Sequence, residues 1–121
     1  MKTCLIVDDS RVIRMVARKI LEKLGFSVSE AENGAQALDI CKRQLPDGVL
    51  LDRNMPIMDG LEFLSALRKL PGSGDTAVVL CTTENTIDDI KRAIAAGADE
   101  YIMKPFDSEI IHSKFTEVGL L

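Results

Sequence analysis

Five short apolar segments recur along the chain, and each is followed by a loop and an amphipathic stretch. Segments 4–7, 48–51 and 77–81 are continuous aliphatic runs, which are typical of strands covered by helices on both faces. Segment 27–30 alternates apolar and polar residues and predicts an edge strand, whereas segment 99–103 alternates only in part and predicts a fifth strand. We therefore expect the three continuous runs to form the interior of a parallel sheet.

The five amphipathic stretches carry apolar residues at the three- and four-residue spacing of a helix. The first helix is expected from Ile13 to Leu24, and it stops at Gly25, where a C-cap glycine belongs. The remaining four are expected to begin near residues 33, 59, 85 and 107 and to end before residues 46, 71, 97 and 119. The alternation of strand and helix predicts the α/β fold class.

The composition is that of a globular domain, with 121 residues, 46 % of them apolar, and a net charge of −4. This length can bury an independent core, so we expect a single domain over residues 1–121. No apolar run approaches the roughly 20 residues of a membrane span, and no apolar signal segment opens the chain, so we expect a cytoplasmic protein without membrane insertion. The acidic balance argues against nucleic-acid binding. The three cysteines are expected to be small buried hydrophobes.

The unusual polar residues all follow predicted strands. Asp8 and Asp9 come after the first strand, Asp52 after the third, Thr82 after the fourth and Lys104 after the fifth. In a doubly wound parallel sheet of flavodoxin-like strand order 2-1-3-4-5, the ligand crevice lies at the carboxyl ends of strands one and three. We therefore expect Asp8, Asp9 and Asp52 to surround one crevice.

Three carboxylates around one crevice need a cation. At roughly 5 Å each pair repels by about 3 kcal/mol at an effective dielectric of ~20. Raised pKa values, Lys104 or a divalent ion would relieve this repulsion, and oxygen donors without a nearby His or Cys favour Mg²⁺ over zinc. Taken alone, an acidic pair after a strand is more often a loop or helix N-cap feature.

The same crevice suits phosphoryl transfer. Lys104 supplies a point charge and Thr82 a hydroxyl donor, and Asp52, alone at the crevice centre, is the expected nucleophile. Two other functions remain as alternatives. A Mg²⁺-dependent phosphohydrolase would need a general acid and a cap, and no insertion is long enough for a cap. A flavodoxin-like FMN carrier would need a Ser/Thr/Gly-rich amide nest where the acidic pair stands.

Four motifs in order resemble those of the receiver domain of two-component response regulators. They are residues 6–10, residues 50–60 around Asp52, residues 81–84, and residues 101–106. The resemblance covers the whole chain, and because nothing follows the fifth helix it is greatest for stand-alone receivers of the CheY type. It implies a monomeric, phosphorylation-switched regulator, in chemotaxis or a related pathway, whose chemistry is on itself. A histidine kinase or a histidine phosphotransfer protein would supply the phosphoryl group.

The resemblance also implies roles at the crevice. Asp52 is the expected phosphoryl acceptor. Asp9 and Asp52 would bind Mg²⁺ directly, Asp8 would act largely through water, and the backbone carbonyl of Asn54 would complete the protein ligands.

A switch is implied on the far side of the crevice. Lys104 would pair with a phosphoryl oxygen, held by a cis bond to Pro105. Thr82 would hydrogen-bond the phosphoryl group, move toward it and draw Tyr101 inward. The downstream protein target would then bind the face formed by the fourth helix, the fifth strand and the fifth helix.

Two residues depart from the commonest receiver pattern. Thr83 is bulkier than the Ala or Gly often found there, and Arg53 places a long cation beside the acceptor. Asn54 and Glu84, in contrast, match the CheY-like residues that tune hydrolysis, which indicates a short-lived signal. The Asp88-Asp89 pair is interpreted as first-turn acid that favours the helix dipole.

Overall fold

Five parallel strands form one sheet in the computed structural model, which describes residues 1–83 and 86–121. The strands of this described part are β1 (Thr3–Val7), β2 (Ser27–Ala31), β3 (Gly48–Asp52), β4 (Ala77–Thr82) and β5 (Glu100–Met103). The α-helices are α1 (Arg11–Lys23), α2 (Gly34–Arg43), α3 (Gly60–Arg68), α4 (Ile87–Ala96) and α5 (Ser108–Glu117). The strand order β2-β1-β3-β4-β5 confirms the predicted doubly wound, flavodoxin-like α/β fold.

Helices cover both faces of the sheet, as the continuous apolar runs predicted. On one face, Val49 and Leu51 of β3 pack with Phe63 of α3 in a layer that includes α2 and α4 residues. On the other face, Leu50 packs in a second layer with α1 and α5, where Phe115 is fully buried. The three inner strands are therefore held from both sides by apolar contact. No helix within the described ranges is long and apolar enough to cross a membrane.

The strand ends differ slightly from the predicted ones. Pairing of β3 with β4 continues through Asp52 and Cys81, and pairing of β4 with β5 continues through Thr82 and Met103. Asp52 and Thr82 are thus the last residues of their strands, which fixes their backbones. Asp99 was predicted to open β5, but its carboxylate accepts a hydrogen bond from the Val78 amide (2.8 Å), and the strand begins one residue later.

Each α-helix begins at a polar N-cap on the carboxyl side of the sheet. The side chains of these caps accept a hydrogen bond from a first-turn amide; they are Ser10, Asn33, Asp59, Thr86 and Asp107. The predicted start of the fourth helix at residue 85 lies outside the described residues. Because a cap satisfies amides that would otherwise lack partners, these residues fix where each helix starts above the sheet.

Gly60 permits the close approach of α3 to the end of β3. A Cβ atom on this glycine would lie 2.4 Å from the carbonyl oxygen of Asp52 and 3.0 Å from Cα of Arg53. Both contacts are to backbone, which cannot move without shifting Asp52. A side chain at residue 60 would therefore displace the strand end that carries the central carboxylate.

Ile57, in the loop between β3 and α3, has a left-handed backbone with φ of +70° and is 81 % exposed. A branched side chain is unfavourable in this region, whereas asparagine tolerates it. We expect Ile57→Asn to raise the free energy of unfolding by about 1 kcal/mol, measured by urea denaturation. Ile57→Ala keeps a Cβ atom and serves as the control, with a smaller expected gain. If both variants gain equally in free energy of unfolding, the left-handed backbone of residue 57 is not the cause of the gain.

Candidate functional site

The three predicted carboxylates meet at the carboxyl end of the sheet. Asp8, Asp9 and Asp52 each offer an oxygen, and these oxygens all lie within 4.8 Å of one another. They meet because β1 and β3 are neighbours in parallel register, with Val7 opposite Leu51. Asp8 and Asp52 are buried, whereas Asp9 is exposed. The cluster is thus accessible to solvent through Asp9.

Lys104 joins two of these carboxylates. Its Nζ atom lies 2.8 Å from Oδ2 of Asp8 and 3.0 Å from Oδ1 of Asp52. The Lys104 amide donates to the carbonyl of Thr82 (2.9 Å), and the peptide bond to Pro105 is cis. Through these contacts the side chain of Lys104, the residue after β5, reaches the carboxylates at the ends of β1 and β3.

The ionisation of Lys104 follows from these contacts. Burial alone would lower the pKa of Lys104, but hydrogen bonds and charge attraction from Asp8 and Asp52 outweigh burial and raise it. The ammonium group therefore stays charged at neutral pH. The acidic cluster therefore contains one positively charged side chain, that of Lys104.

The surroundings of Asp52 shift the pKa of its carboxyl group. Burial raises the pKa of Asp52, and the negative charge of Asp8 adds to the rise, although hydrogen bonds from Lys104 and from the Asn54 backbone oppose it. Removal from water also strips solvent from the oxygen atoms. A poorly solvated carboxylate in contact with an ammonium group is suited to attack an electrophile.

The backbone around Asp8 is held from several directions. The Asp8 amide donates to the carbonyl of Ala31, and its Oδ1 accepts from the Ser10 amide at 2.9 Å. The Asp8 carbonyl accepts from Nη1 of Arg14 at 2.8 Å. Asn54, the other predicted ligand, lies on the exposed loop two residues beyond Asp52.

The two predicted switch residues lie on neighbouring strands. Thr82 is buried at the end of β4, opposite Met103, and Tyr101 lies two residues earlier on β5, opposite Leu80. Tyr101 is half-buried, and Nζ of Lys114 on α5 lies 5.9 Å from its ring centre. Tyr101 therefore connects the sheet with the α5 side.

Arg53 contacts a residue that the sequence interpretation had assigned to the helix dipole alone. Its Nη2 lies 3.0 Å from Oδ1 of Asp89, in the first turn of α4, and the two side chains are only 12 % and 8 % exposed. The Arg53 Nε is buried without a hydrogen-bond partner in the described part of the chain. The available signal was the spacing of Asp89 four residues before Ala93, which places it on the buried helix face.

A groove opens beside the cluster. Its volume is about 310 Å³, and its lining is mainly apolar, from Val12, Ile13, Val16, Thr83, Lys104, Pro105 and Phe106. Thr83, which lines this groove, is exposed. Glu84, which was expected to tune hydrolysis, lies outside the described residues.

Comparison with known proteins agrees with this geometry. The family model of the response regulator receiver domain matches residues 4–116. A chemotaxis protein CheY of Halobacterium salinarum is 37 % identical over 117 residues, which are 97 % of this chain and 96 % of that protein. CheY of Bacillus subtilis is 40 % identical over 106 residues, 87 % of each. The solved structure of chemotaxis protein CheY4 of Vibrio cholerae matches with a TM-score of 0.93 and 32 % identity over 98 % of both chains.

The raised pKa of Asp52 gives a stability prediction for the metal-free protein. The folded chain holds the Asp52 proton more tightly than the unfolded chain does, so the ionised group destabilises the fold at neutral pH. Asp52→Asn should therefore raise the melting temperature at pH 7 in chelator, since Lys104 keeps Asp8 as its partner. This gain in melting temperature should shrink as the pH falls through the pKa of Asp52 in the folded chain and then below the ordinary pKa of an aspartate.

Asp39→Asn, on the exposed face of α2, is the matched control and should leave the melting temperature nearly unchanged. Added Mg²⁺ should stabilise the wild type more than Asp52→Asn, because ligands stabilise the state that binds them. A lower melting temperature for Asp52→Asn at pH 7 in chelator would contradict the prediction.

Proposed function

Since this chain belongs to the response regulator receiver family of two-component signalling systems, we propose that it is a CheY-like regulator phosphorylated on Asp52. The observation that carries this proposal is the contact of Lys104 with both Asp8 and Asp52 beside the exposed Asp9. The likeness to CheY proteins along nearly the whole chain favours chemotaxis as the pathway. We take the regulator to be cytoplasmic and monomeric.

The donor set at the cluster fits Mg²⁺. Three carboxylates contribute hard oxygen atoms within 4.8 Å of one another, and Asp9 leaves the site accessible to water. Asp9 and Asp52 would hold the ion directly, Asp8 largely through water, and Asn54 through its backbone carbonyl. When bound, the ion neutralises carboxylate charge and stabilises charge on phosphoryl oxygens.

The proposed reaction is transfer to the Asp52 carboxylate. One Asp52 oxygen forms a bond to phosphorus as the bond from phosphorus to a donor histidine nitrogen breaks, and that nitrogen keeps the electron pair. Lys104 already contacts an Asp52 oxygen, so its ammonium group is placed to pair with a phosphoryl oxygen. The donor is a histidine kinase or a histidine phosphotransfer protein, and the chemistry is confined to the chain's own carboxylate.

Phosphorylation changes the charge on Asp52 from one negative to about two and adds three acceptor oxygens. Thr82 ends β4, the strand next to β3, and we expect its hydroxyl to donate to the new group. Movement of Thr82 would make room for Tyr101 on the neighbouring strand. The target would bind the face of α4, β5 and α5, where Lys91 and Ile94 are exposed.

Phosphorylation can be tested with a small donor. Acetyl phosphate with Mg²⁺ should add one phosphoryl group to the purified protein, because nucleophile, ammonium group and carboxylates lie in one chain. Intact-mass measurement detects the adduct, and Asp52→Ala should abolish it. Asp39→Ala, with its carboxylate far from the crevice on α2, should retain it. An adduct that persists in Asp52→Ala would place the nucleophile elsewhere.

The switch can be followed through Tyr101 itself. The chain has one tyrosine and no tryptophan, so intrinsic tyrosine fluorescence reports on Tyr101 alone. Thr82→Ala should still accept the phosphoryl group, since Asp52 and Lys104 remain, but the fluorescence change on phosphorylation should be lost. Thr82→Ser restores the hydroxyl and should restore the change. A full fluorescence change in phosphorylated Thr82→Ala would show that the signal travels by another route.

A further inference from the structure

Arg14 of α1 links the acidic cluster to the edge of the sheet. Its Nη1 donates to the carbonyl of Asp8 at 2.8 Å, and its Nε donates to Oε1 of Glu30 on β2 at 2.9 Å. The side chain is only 11 % exposed. Because the guanidinium group is planar, the bond to Glu30 fixes the direction in which Nη1 points.

Asp9 depends on the backbone for its orientation. Its carboxylate is exposed and contacts no hydrogen-bond donor among residues 1–83 and 86–121. No side-chain contact in that described part fixes its rotamer, so the peptide unit that joins it to Asp8 sets only where its Cα–Cβ bond starts and points. The carbonyl of that same peptide unit is the group that accepts from Arg14.

We propose that Arg14 is a positioning residue for the metal site: by holding the Asp8 carbonyl, it fixes the Asp8–Asp9 peptide and aims the Asp9 carboxylate at the ion. This inference rests on the proposed Mg²⁺ site. Arg14 itself contributes no ligand atom.

Loss of the Arg14 charge and loss of its positioning role would change Mg²⁺ affinity in opposite directions. A guanidinium group near a cation site repels the cation, so removal of its charge alone would tighten Mg²⁺ binding. Loss of positioning would weaken binding instead. Groups that orient metal ligands change metal affinity by roughly 10- to 100-fold when removed.

Arg18 provides a matched control on the same helix. It also donates to Glu30, through Nε to Oε2 at 2.6 Å, but its other contacts are the carbonyl of Val28 and the carboxylate of Glu22. Hydrogen bonds from Arg18 and Arg14 lower the pKa of Glu30, and each variant leaves one of these two arginines in contact with it. Arg14→Gln and Arg18→Gln therefore remove equal charge from α1, and only the first frees the Asp8 carbonyl.

The test is titration of the full chain with Mg²⁺ alone. Arg14→Gln should weaken binding by about tenfold, Arg18→Gln should bind within about twofold of wild type, and Arg14→Lys, which keeps a donor near Asp8, should recover part of the loss. In the metal-free protein, the amide ¹⁵N signal of Asp9 should shift in Arg14→Gln and not in Arg18→Gln. Loss of fold alone would not produce this pattern, and far-UV circular dichroism checks that each variant is folded.

The possible failures are distinguishable. If the wild type binds Mg²⁺ and Arg14→Gln binds it equally or more tightly, the positioning role is overturned, whereas the metal site is not. An equal loss in Arg14→Gln and Arg18→Gln would also overturn it, since the effect would follow the shared Glu30 contact. Absence of Mg²⁺ binding by the wild type would overturn both the metal site and the inference.

Discussion

One ammonium group shared by two buried carboxylates holds the site together. Asp8 and Asp52 are both largely out of water and repel each other, and Lys104 lies within hydrogen-bond distance of each. A buried charge without a partner is strongly unfavourable. The contact with Lys104 therefore lowers the energetic cost of bringing the Asp8 and Asp52 carboxylates together. The contact in turn requires the Lys104 side chain, which follows β5, to reach past the end of β4, the strand that lies between β5 and β3.

The charge balance at the cluster follows from the same contact. Three carboxylates and one ammonium group carry a formal charge of −2. A divalent cation would neutralise this remainder, whereas a second lysine would leave one negative charge. Arg53 does not fill that role, because its guanidinium group is bound to Asp89 in a largely buried ion pair. Because Asp89 is itself largely buried, departure of Arg53 would leave its carboxylate without this partner, which favours the contact of Arg53 with α4.

The sequence predicted the strand order, the helices and the gathering of acidic residues, because apolar periodicity and position after a strand are local signals. It predicted less well the ends of β3, β4 and β5, which depend on pairing between strands. The ion pair of Arg53 with Asp89 and the contact of Arg14 with the Asp8 carbonyl were not anticipated. Both depend on the direction of long side chains across elements that are distant in sequence.

The contact between Lys104 and Asp8 also bears on how the chain folds. These residues are 96 positions apart, and β3 and β4 lie in the sheet between β1, which Asp8 follows, and β5, which Lys104 follows. Closing so long a loop is entropically costly, and local contacts cannot compensate for it early. A chain that lacks the segment after β4 also lacks Lys104, and Asp8 and Asp52 would then share the crevice without their cation.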